Sequence, residues 1–103
     1  MRVDLQRVIT SFSGIPYKTE EGKDATVRYF LQYSFDKANP NDAKLSINEQ
    51  LKLYSVAKRL ATKRKTIIVT ADEAQLLCNR LSMFSIPIIG AIAELFQIKY
   101  EQI

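Results

Sequence analysis

In residues 86–97, Ile88, Ile89, Ala91, Ile92, Ala93, Leu95 and Phe96 leave little besides Glu94 and Gln97 to meet water. Pro87 suits the first turn of a helix, where its missing amide costs nothing and its fixed φ is already helical. A helix that is apolar on nearly every side has to be covered on most of them. The chain must therefore wrap this helix in its own core or leave a second face for another molecule. In the second case Ile89, Ile92 and Phe96 are the candidate interface positions. At 103 residues the chain buries only a modest share of its surface, so surplus apolar residues are readily completed by a partner or a second copy.

The rest of the chain mixes strand and helix signals. Val3, Leu5, Val8, Thr10 and Phe12 alternate imperfectly, and turn residues follow at Gly14, Pro16 and Gly22. Alternation bounded by turns predicts a β-hairpin region over residues 1–24, with residues 25–103 mainly helical. Val27, Phe30, Leu31, Phe35 and Ala38 recur at helical spacing behind an N-cap at Asp24 or Thr26, and Asn39-Pro40-Asn41-Asp42 stops that helix. Tyr29 and Tyr33, four apart on its flank, are further interface candidates.

Ser46-Ile47-Asn48-Glu49 and Thr70-Ala71-Asp72-Glu73 each fit a capping box, in which hydroxyl and carboxylate satisfy each other's backbone amides at a helix start. The first opens a helix whose apolar stripe reads as Ile47, Leu51, Tyr54, Ala57, Leu60 and Ala61. The second opens one with Leu77, Leu81 and Phe84 inward. Between the two helices, Ile67, Ile68 and Val69 form a β-branched run. The expected fold is α+β, a single domain over residues 1–103: an N-terminal hairpin, joined by a third short strand, packed against about four helices.

Several classes of chemistry close on composition. The chain has no histidine and one cysteine, Cys78, which removes Ser-His-Asp and Cys-His nucleophiles, zinc sites and any intramolecular disulfide. Cys78 reads as a small core hydrophobe between Leu77 and Leu81. Gly14, Gly22 and Gly90 are too scattered to cradle a phosphate or a dinucleotide. The carboxylate pairs Glu20-Glu21 and Asp72-Glu73 read as loop charge and as a helix start. The expectation is a non-enzymatic protein without cofactor or metal. Residues 1–7 lack the apolar core of a signal peptide, and the apolar stretch at 86–93 falls well short of the roughly 20 residues that span a bilayer. A cytoplasmic setting without membrane attachment follows.

Within a net charge of +4, the one concentrated charge feature is Lys58, Arg59, Lys63, Arg64 and Lys65. Cations favour the last turn of a helix, and the same residues are the candidate contacts of an alternative reading, a nucleic-acid-binding accessory protein. A strand rather than a short turn separates the two capped helices, against a helix-turn-helix. The tyrosines are not interleaved with the basic run as stacking platforms would be.

In order along the chain, Val3-Asp4-Leu5, Ser13-Gly14-Ile15-Pro16, Glu21-Gly22-Lys23, Lys52-Leu53-Tyr54-Ser55-Val56-Ala57, Val69-Thr70-Ala71-Asp72-Glu73 and Ile86-Pro87-Ile88-Ile89-Gly90 resemble a group of small bacteriophage and prophage proteins of unassigned function. The resemblance implies action in the cytoplasm of an infected or lysogenic bacterium. Together with the residues, it gives the expectation of a protein-protein interaction module, self-associating or binding another protein.

Overall fold

The computed structural model describes residues 1–97. Its elements are β1 (Arg2–Asp4), α1 (Val27–Asp36), α2 (Ile47–Leu60), β2 (Thr66–Ile68), α3 (Ala71–Asn79) and α4 (Ile86–Leu95), with 3-10 turns at Pro40–Lys44 and Arg80–Met83. The fold is α+β, as the mixed periodicities predict.

The strand expected near residue 67 finds its partner at the start of the chain. β1 and β2 run antiparallel with Arg2 opposite Ile68, Val3 opposite Ile67 and Asp4 opposite Thr66. Side chains alternate across a strand, so Val3 and Ile67 enter the core while Arg2 and Ile68 face outward. The Leu5 amide donates to the Lys65 carbonyl at 2.9 Å and the Val69 amide to the Met1 carbonyl at 2.9 Å, extending the pairing at both ends.

The rest of the hairpin region is a small closed ring. Single bridges join Val8 to Thr26, Thr10 to Pro16 and Lys18 to Asp24. At its centre the Ile9 amide donates to the Ala25 carbonyl, the Ala25 amide to that of Tyr17, and the Tyr17 amide back to that of Ile9, at 3.0, 2.7 and 3.1 Å. Each segment thus pairs with both others. The two links are built alike: Gly14 donates to the Ser11 carbonyl and Gly22 to that of Thr19, with φ of 85° and 82°. Glycine enters this left-handed region without the Cβ penalty. Ile9-Thr10-Ser11-Phe12-Ser13-Gly14 and Tyr17-Lys18-Thr19-Glu20-Glu21-Gly22 are therefore two copies of one six-residue turn unit set eight residues apart, a repeat that only Ser/Thr and Gly carry in the sequence.

Both capping boxes form. The Ser46 and Thr70 hydroxyls accept from the Glu49 and Glu73 amides, and both carboxylates accept from the cap amides. Thr26, not Asp24, caps α1. α4 ends at Leu95, and Gln97 takes a left-handed φ of 58°, a common way for a helix to stop.

Two expectations about apolar faces are corrected. Ile92 is 0% and Phe96 1% exposed, and both sit in the core with Ile88, packed among Leu77, Leu81 and Val27 in one cluster. The core thus takes one face of this helix, which removes Ile92 and Phe96 from any surface, while Ile86 at its start stays 76% exposed. Ile89 is half-buried against the same cluster. On α2 the expected stripe holds only at its end, where Leu60 is buried and Ala57 half-buried. Leu53, Val56 and Leu60 are the buried face, whereas Ile47, Leu51 and Tyr54 are 69%, 58% and 62% exposed.

Candidate functional site

Tyr29 and Tyr33 belong to an aromatic group that joins α1 to the neighbouring segments. The Phe30 ring meets those of Tyr17, Tyr29 and Phe84 edge to face at centroid distances of 6.1, 5.4 and 5.3 Å. The Tyr33 ring lies 6.0 Å from that of Phe84. Edge-to-face pairs satisfy the ring quadrupoles, so these tyrosines are half-buried packing elements whose outer edges line a shallow hollow with Lys18 and Lys37.

The basic run separates into distinct roles. Arg59 does not point into solvent. Its two terminal nitrogens donate to the two Glu73 carboxylate oxygens, and Nη1 also donates to the Ile68 carbonyl at 2.6 Å. The bond from Arg59 is the main cause that holds the Glu73 carboxyl below its ordinary range, and the Thr70 amide adds to it. A planar guanidinium that meets a carboxylate in two parallel bonds is a positioned pair, so Arg59 ties α2 to the start of α3. Its charge is therefore already paired, although its side chain still lines the groove that holds the other candidate cations.

Arg28 fixes the loop carrying the remaining cations. From α1, its guanidinium donates to the carbonyls of Leu60, Thr62 and Arg64, and Gln32 Nε2 adds a bond to Leu60 at 3.0 Å. These carbonyls lie at and just beyond the end of α2, where helical partners run out. A cation there also complements the helix dipole.

The loop so held forms one wall of a groove of about 700 Å³. Lys58, Arg64 and Lys65 line it, and β1–β2 pairing adds Arg2 from the far end of the sequence. Among the described residues none of these four side chains makes an ion pair. Lys58 Nζ rests 5.6 Å from the centroid of the Tyr54 ring. Lys63 is exposed but does not line the groove. Sequence reading had no access to Arg2, because the strand register that brings it in spans most of the chain.

The outer line of α2 is a second candidate site. Ile47, Leu51, Tyr54 and Lys58 succeed one another at spacings of four, three and four, the alternation of a two-helix seam. The positions beside the line are Asn48, Gln50 and Ser55, none of them charged.

Chemistry is sparse elsewhere. Burial pushes the Cys78 thiol up to about 11, leaving it almost wholly protonated and poorly nucleophilic near neutrality. Among the described residues no group of three or more His, Cys, Asp or Glu side chains is arranged to hold a metal, and no helix is long and apolar enough to cross a membrane. Comparison with protein-family models, curated proteins and solved structures finds no match for this chain.

Proposed function

We propose that the protein is a non-enzymatic interaction module that associates with a second copy of itself through the outer face of α2. The observation that carries this reading is the exposure of Ile47, Leu51 and Tyr54, at 69%, 58% and 62%, in the spacing of a helix-pairing seam and diametrically opposite the core face. Apolar side chains scattered singly over a surface need no explanation, but an ordered line of them does. The uncharged flanks favour a second copy as the occupant. Two identical faces meet in a symmetric contact, and charged flanks of one sign would repel each other there, whereas Asn48, Gln50 and Ser55 do not. An antiparallel pairing lays Leu51 of one copy against Tyr54 of the other. The seam spans only about two helical turns, roughly 10 Å, so the association belongs to the weak, reversible class. Resemblance to small bacteriophage and prophage proteins supports a setting in the cytoplasm of an infected or lysogenic bacterium.

Sedimentation velocity on the wild type and on Leu51→Glu tests the proposal. The wild type should shift from monomer to dimer between about 5 and 500 μM. The variant should stay monomeric with an unchanged melting temperature, since Leu51 has no core contact to lose. A wild type that is monomeric throughout, or a variant that dimerises as well as the wild type, overturns it.

A further inference from the structure

We infer that the groove between the end of α2 and the β1–β2 sheet binds single-stranded nucleic acid. Five cations from three separate chain segments, Arg2, Lys58, Arg59, Arg64 and Lys65, line one concavity of about 700 Å³, and among the described residues only Arg59 of the five makes an ion pair. Elsewhere among the described residues four cations are paired, Lys18 with Asp24, Lys23 with Glu21, Lys52 with Asp72 and Arg80 with Asp42, and nowhere else do unpaired cations line one concavity in such number. Unpaired like charges facing one another repel, and they are relieved when a polyanion enters. The backbone is set in advance. Arg28 grips the Arg64 carbonyl, the Leu5 amide holds that of Lys65, and Arg2 has its register fixed opposite Ile68. Only the side chains remain to adjust.

The groove also has an apolar element. Ile68 lines it and is 63% exposed on the strand directly across from Arg2. A duplex turns its phosphates outward and its bases inward, so it gains nothing from an isoleucine among cations. A single strand presents both, with phosphates to the charges and an unstacked base in apolar contact with Ile68. The groove meets the α2 line only at Lys58, beside Tyr54, and the variants that test it alter neither the line nor Lys58, so the test does not depend on self-association.

Fluorescence anisotropy with a labelled 20-nucleotide oligothymidine at 50 and 200 mM salt reads the site. Neutralising four phosphates of a single strand predicts about a 50-fold weaker affinity at the higher salt. Arg64→Glu with Lys65→Glu should weaken binding at least tenfold. Lys37→Glu with Lys44→Glu, an equal change of net charge on another surface, should change it less than threefold. Ile68→Ser should weaken the single strand severalfold and leave any residual duplex binding unchanged. Affinity lost equally in both charge variants, absence of salt dependence, or equal or tighter binding of a blunt duplex or of phosphatidylserine vesicles overturns the assignment.

Discussion

The guanidinium of Arg59 holds the carboxylate of Glu73 by both oxygens, and the same carboxylate accepts the Thr70 amide at 2.9 Å to close a capping box. One acidic group thus terminates the turn before α3 and clamps α3 to α2. It is 7% exposed.

Glu73→Gln should cost about 1 kcal/mol at pH 7, because the Arg59 guanidinium, still 35% exposed and so partly screened by water, loses its charged partner. The folded carboxyl lies below its ordinary value. Its stabilising contribution is therefore complete above the unfolded value near 4.5 and disappears as pH falls through the folded one. Urea unfolding of both proteins from pH 7 to pH 3 should show curves that differ at neutrality and converge in acid. A constant difference across that range contradicts the assignment.

Arg80 should be among the least replaceable polar residues. Its side chain is 7% exposed, pairs with Asp42 from the 3-10 turn after α1, donates to the Ser34 carbonyl at 2.8 Å and lies 5.0 Å from the Phe35 ring centroid. Among the described residues its Nε has no partner, so the buried charge is retained at some expense. Arg80→Met strips Asp42 and the Ser34 carbonyl of their donor. A loss of about 3 kcal/mol is expected, measured by denaturant midpoint at constant m-value.

Two glycines should respond to alanine with opposite signs. Gly22 holds φ at 82°, which costs an L-residue about 1 kcal/mol, so Gly22→Ala destabilises. Gly90 lies in α4 with open space where a Cβ would stand, so Gly90→Ala should gain about 0.5–1 kcal/mol through helix propensity. In a domain of this size, melting should move by about 4–8 °C per kcal/mol, downward for the first and upward for the second.

The features that were legible in the sequence are those set by neighbouring residues. Ser46 with Glu49 and Thr70 with Glu73 specify their helix starts within four residues, and Pro87 specifies the first turn of α4. The choice between faces is a tertiary matter. α2 carries one apolar line through Leu53, Val56 and Leu60 and another through Ile47, Leu51 and Tyr54, and spacing alone cannot say which one the core takes. Ile92 and Phe96 illustrate the same limit from the other side. An all-round apolar helix announces that it is covered but not by what. The groove was half legible, since Lys58, Arg59, Arg64 and Lys65 fall within eight residues of sequence, while Arg2 enters through long-range pairing and the charge of Arg59 is taken up by a carboxylate on the next helix.

The ring of Ile9, Tyr17 and Ala25 bears on how the chain stays separate from others. An ordinary short sheet ends in two strands whose outward amides and carbonyls can recruit a strand from another molecule. Three segments that each pair with both others have no outermost member. Residues 8–26 therefore offer no template for strand addition, although Phe12 and Ile15 at the tip of the first link are 85% and 67% exposed. In a segment with such solvent-facing apolar residues, closure works together with Pro16, which has no amide to offer a further strand, and with the Lys18–Asp24 ion pair at another bridge to oppose cross-β assembly.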